Sequence, residues 1–77
     1  MNTESPGASL RYCNTFRVGY NAAEFVLEFG HAYEGHEEVL AQRIVTAPAY
    51  AKAFGQLILQ TVQEYETRYG EIPAAPE

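Results

Sequence analysis

Hydrophobic positions along this chain fall into three stretches of period two followed by one long stretch of helical period. From Arg11 to Tyr20, Tyr12, Phe16, Val18 and Tyr20 point one way, and Cys13, Thr15, Arg17 and Gly19 the other, the signature of a half-covered strand. Asn21, Ala22 and Ala23 are short enough for a hairpin connection, and Asn tolerates the positive φ that tight hairpin turns demand. Glu24 to Phe29 alternates again, with Phe25, Leu27 and Phe29 set against Glu24, Val26 and Glu28. The two runs predict an antiparallel hairpin with one apolar face.

Gly30 to Glu38 is polar with two glycines and reads as a loop, into which the second strand has room to run as far as Tyr33. Val39 to Val45 predicts a third strand. Its alternation puts Leu40, Gln42 and Ile44 on one side and Val39, Ala41, Arg43 and Val45 on the other, so it is apolar on both.

Thr46 to Tyr69 predicts one long amphipathic helix. Pro48 suits the first turn, where its missing N–H has no partner to lose, and the cap is Thr46 or Ala47, Thr being the better acceptor. Turning about 100° per residue gathers Tyr50, Phe54, Leu57, Ile58, Thr61, Tyr65 and Tyr69 onto a core side, with Ala51 and Val62 at its flank. Lys52, Gln56, Gln60, Gln63, Glu64 and Thr67 form the solvated side. Gly70 supplies a left-handed C-terminal residue and Pro73 bars resumption. Leu59 falls outside the stripe. Either it is an isolated surface leucine, or Gly55, Leu59 and Val62 form a second, self-association strip where Gly55 lets another backbone approach.

These elements predict an α+β fold: a three-stranded antiparallel meander followed by one long C-terminal helix packed on one face, with a flexible arm at 1–10, a single domain at 11–72 and a flexible tail at 73–77. Composition adds a problem of size. The chain has 77 residues and a lone Cys13, so no intrachain disulfide can reinforce it. The folded part is about sixty residues, and a domain that small buries only ~60% of its unfolded surface. A hydrophobic content of 47%, with six Tyr and four Phe, excludes disorder and favours association as the source of extra burial. A homodimer or higher homo-oligomer is expected, either by pairing edge strands or by packing helix on helix.

Net charge is −5, and Arg11, Arg17, Arg43, Lys52 and Arg68 are scattered, so a nucleic-acid partner is not expected. With no signal peptide and no apolar run long enough to span a bilayer, neither is a membrane, and the expected location is the cytoplasm.

At Glu24 to Gly30, Arg43 to Phe54 and Tyr65 to Ile72, the chain resembles a family of short bacterial and archaeal proteins classed as a domain of unknown function. The matching positions are Glu24, Phe25, Val26, Leu27, Glu28 and Phe29, then Arg43 and Pro48, then Tyr65, Glu66, Tyr69, Gly70 and Ile72, with Asn14 and Val18 in the first strand. Ala47 stands where the family tends to have Ser. The resemblance covers about Tyr12 to Ile72 and implies a small α+β module, with no catalytic or cofactor-binding residues to transfer.

Candidate chemistry is sparse. His31, Glu34 and His36, with Glu37 and Glu38 beside them, offer imidazole and carboxylate for a divalent metal, although His-x4-His matches no strong template and such loops are usually just solvated. Cys13 needs a base to act as a nucleophile, and an ordinary strand thiol is the simpler reading. Glu24 and Glu28, with Arg17 and Arg43 on neighbouring strands, predict cross-strand ion pairs or a polar patch that selects a partner. Tyr33 is the loop's best contact residue. No catalytic residue or cofactor is expected. The functional expectation is a self-associating interaction module or subunit, with an unidentified protein as a further partner, and the alternative is a metal- or ligand-responsive protein using the His31 to Glu38 loop.

Overall fold

In a computed structural model, which describes residues 11–75, the chain forms β1 (Thr15–Tyr20), β2 (Phe25–His31), β3 (Val39–Thr46) and α1 (Pro48–Tyr69) in that order. The expected arm at 1–10 and the tail residues 76–77 lie outside the described residues. Both hairpins are antiparallel and the strand order is β1-β2-β3, so the expected meander-then-helix α+β architecture is the one observed. The chain divides into two compact units at the Thr46/Ala47 boundary.

In the sheet unit, β2 is central. Phe16 lies opposite Phe29, Val18 opposite Leu27 and Tyr20 opposite Phe25, so the alternation of both runs lands on one shared apolar face. The hairpin between them departs from expectation. No non-glycine residue among those described has positive φ. Asn21 serves the turn through its side chain instead: its Oδ1 accepts the N–H groups of Ala23 (2.8 Å) and Glu24 (2.9 Å), and its own N–H donates to Glu24 O (3.0 Å).

β3 also departs from strict alternation. Phe29 faces Gln42 while Gly30 faces Leu40, which leaves Ala41 as an extra residue in a β-bulge. Beyond the bulge the faces exchange. Ile44 and Gln42 remain on the apolar face, but Val39, opposite His31, joins them, while Leu40 moves to the side of Arg43 and Val45. The expected grouping of Leu40 with Ile44 is therefore corrected, because one inserted residue shifts a period-two pattern by half a period.

In the helical unit, Pro48 occupies the first turn and the cap is Ala47, extended at φ −74° and ψ 153°, with no side-chain cap bond. Thr46, the better capping side chain, is instead the last residue of β3, opposite Phe25. Gly70 ends the helix at φ 100° and ψ 171°, donating its N–H to Glu66 O at 2.9 Å. That conformation has positive φ as expected but lies outside the left-handed helical well, in a region open essentially to glycine alone. The Glu66 carboxylate folds back to accept the Ile72 N–H at 2.9 Å.

The stripe from Tyr50 to Tyr69, expected as a core side, is not buried: no residue of α1 is. Counted together with Gly55, Leu59 and Val62, its apolar positions sweep an arc of roughly 200°, about twice the width that one covering surface needs. Gly30 is buried, and no hydrophobic side chain among the described residues is.

Candidate functional site

The sheet unit presents two chemically different faces. On the apolar face, Phe16 and Phe29 meet edge to face with centroids 5.9 Å apart, and Tyr20 stacks on Phe25 at 5.9 Å. Val18, Leu27 and Ile44 fill the row between them. The face stays open: Phe16 is 62% exposed and Tyr20 79%.

The other face is organised around Gly30. With no side chain there, the Glu38 carboxylate from the end of the β2–β3 loop lies over the strand, accepting the Thr15 hydroxyl at 2.5 Å and pairing with Arg17. These two hydrogen bonds, Thr15 foremost, hold the Glu38 carboxyl below the ordinary glutamate range. Next to this clasp, Glu28 lies opposite both Arg17 and Arg43 in register but is taken by Arg43, with Nε to Oε2 at 2.7 Å. Of the expected cross-strand ion pairs, that of Glu28 with Arg43 forms, and the others do not. Arg17 turns to Glu38, and Glu24 lies outside the strands.

A second fastening precedes β1. The Asn14 amide copies a strand backbone, donating from Nδ2 to Ala32 O at 2.8 Å and accepting the Ala32 N–H at 2.9 Å. Asn14 therefore ties the loop to the segment before Thr15, and explains why β1 begins at Thr15 although alternation starts at Arg11. Neither this clasp nor that of Glu38 was expected from the pattern of residues. The signal available for Glu38 was Gly30 itself, a glycine at the end of an otherwise bulky strand, which marks close approach of another group.

The histidine loop is a column of rings. Tyr12 meets His31 edge to face at 5.3 Å, His31 lies 5.1 Å from Tyr33, and Tyr33 lies 4.2 Å from His36. The turn beneath is closed by His36 N–H to Tyr33 O at 3.1 Å, with Gly35 at φ 83°. His31, Glu34 and His36 are not gathered as a ligand set, and among the described residues no three His, Cys, Asp or Glu side chains converge to hold a metal. Tyr33 packs at a tilt against both imidazoles.

Cys13 lies ahead of β1 and is half-buried. It lines a shallow depression of about 310 Å³ with Arg11, Phe29, Ala41 and Gln42. That lining holds neither an imidazole nor a carboxylate to take a proton from the thiol.

In the helical unit, Leu59 is 65% exposed and Val62 half-buried, and a Cβ added to Gly55 would meet nothing within 4 Å among the described residues. The strip Gly55, Leu59, Val62 therefore has room for a neighbouring backbone. No described helix is long and apolar enough to cross a membrane.

A family model described as "Protein of unknown function (DUF3467)" matches residues 1–74. No curated protein and no solved structure matches the chain.

Proposed function

We propose, for a chain that belongs to the DUF3467 family of proteins of unknown function, that it is a non-catalytic interaction module working as a homo-oligomer. One observation carries this reading: no hydrophobic side chain among the described residues is buried. Contiguous apolar patches beyond a few hundred Å² are uncommon on monomers and mark surfaces that another chain covers. The open aromatic face and the wide apolar arc of α1, with Gly55, Leu59 and Val62 at its margin, are two such surfaces.

The polar groups support a structural role. Glu38 is engaged by Thr15 and Arg17, Glu28 by Arg43, and the two imidazoles pack at a tilt against Tyr33. A metal- or ligand-responsive role for the His31 to Glu38 loop draws no comparable support. The acidic charge of −5 argues against a nucleic-acid partner, and a lone thiol suits the reducing cytoplasm.

Light scattering across a micromolar concentration series tests the proposal. An oligomer whose melting temperature rises with protein concentration is the expected result. A chain of monomeric mass that melts cooperatively at every concentration removes it.

A further inference from the structure

We propose that β1 is the edge through which two copies join, pairing antiparallel with β1 of a second copy around a two-fold axis at Val18. This rests on the self-association reading and specifies its interface. The sheet has two outer strands, β1 and β3. β3 carries the Ala41 bulge and runs directly into Pro48, which has no N–H to give, and both features discourage edge pairing. β1, Thr-Phe-Arg-Val-Gly-Tyr, has no bulge in its register with β2 and no proline or lysine.

The hairpin end sets which backbone groups are free. Asn21 N–H bonds to Glu24 O, so Gly19, Arg17 and Thr15 direct their N–H and C=O groups to β2, while Phe16, Val18 and Tyr20 direct theirs outward. A second β1 can use those outward groups only in registers that keep like faces together. Centred on Arg17, the pairing sets arginine directly against arginine, which is repulsive. Centred on Val18, it sets Val18 against Val18, Phe16 against the partner's Tyr20, and Arg17 against the partner's Gly19.

Charge therefore excludes the Arg17 register, and Gly19 favours the Val18 one. A glycine inside a strand weakens it unless something approaches closely, yet among the described residues nothing beyond its chain neighbours lies within 4 Å of where its Cβ would stand. A glycine opposite Arg17 makes no demand on that side chain, which keeps its pairing with its own Glu38. The result is one continuous sheet whose apolar face runs unbroken across the axis.

Disulfide trapping in a Cys13→Ser background tests this. In the Val18 register, paired Val18 Cα atoms are about 5.5 Å apart, within disulfide reach, whereas the two Arg17 positions are diagonal at about 7–8 Å. Mild oxidation should convert most of the Val18→Cys chain, and little of the Arg17→Cys chain, into a covalent dimer. Amide exchange on the unmodified protein gives a second reading: the Phe16, Val18 and Tyr20 amides should be protected in the dimer and lose protection on dilution. A protein that light scattering shows to be dimeric, yet leaves those amides fast and Val18→Cys unlinked, overturns the β1 interface and spares self-association. Preferential linking of Arg17→Cys overturns the register, and a monomer at all concentrations removes both proposals.

Discussion

Glu38 lies where a side chain at position 30 would be. A Cβ built on Gly30 falls 2.9 Å from Glu38 Oε2, 2.5 Å from Thr15 Oγ1 and 2.9 Å from the Val39 carbonyl oxygen. Two of these neighbours are polar side-chain atoms bonded to each other, and the third is backbone that cannot swing aside.

Gly30→Ala should therefore destabilise the sheet unit by about 1–3 kcal/mol, the usual cost of overpacking a filled position. Urea unfolding followed by circular dichroism would measure it. An unchanged midpoint would mean that the loop ending at Glu38 moves off the strand at little cost.

The same clasp makes a prediction about acid. The Glu38 carboxyl is depressed chiefly by the Thr15 hydroxyl and then by Arg17. A carboxylate of depressed pKa contributes stability that is fully present above its unfolded pKa, about 4.3, and is lost as pH falls through the lower folded value. Melting temperature should drop below about pH 4.3 in the parent chain. Glu38→Gln, which has no charge to lose there, should flatten this limb. Parallel acid limbs in the two proteins would show that the Thr15 and Arg17 bonds do not persist in solution.

Asn14 closes two hydrogen bonds with Ala32 that no other side chain of similar size can reproduce together. Asn14→Ala should cost about 1–2 kcal/mol, and Asn14→Asp, which keeps only the acceptor, a similar amount. Faster amide exchange at Ala32 than in the parent would locate the effect.

Much of this architecture was legible in the residue pattern, and the exceptions share a cause. Pro48 and Gly70 bound the helix, and the alternation of Phe16 to Tyr20 against Phe25 to Phe29 names the apolar face correctly. Where the reading departed, one residue did a job that periodicity does not encode. Ala41 offsets the strand pattern, so Leu40 and Val39 exchange sides. Asn21 holds its turn by side-chain acceptance and not by a positive φ. Glu38 reaches 21 residues back along the chain to Arg17 and frees Glu28 for Arg43, a choice that register alone leaves open. The loop histidines were visible as ligand types, but the rings that stack with them lie at Tyr12 and Tyr33, and ring packing has no spacing rule.

Gly55 separates the demands of a helix from those of its surroundings. Nothing among the described residues would meet a Cβ there, so Gly55→Ala should stabilise the isolated helix by about 1 kcal/mol. Thermal melts at low and high protein concentration give the readout. A gain at low concentration that turns into a loss at high concentration would identify Gly55 as a point of backbone contact between copies.

Added Zn²⁺ or Ni²⁺, and their removal by chelator, should leave the melting temperature unchanged, since His31, Glu34 and His36 are not gathered to share an ion. A rise of several degrees with either metal would show that the ring column opens to bind it.

Ala41 makes this strand tolerant of a change in length. Removing that single codon would take out the bulge alone, leaving Leu40 opposite Gly30 and Val39 opposite His31 as they are now. Whole-residue gain or loss at this one place is thus a change that relatives could carry while every neighbouring side chain keeps its own side of the sheet.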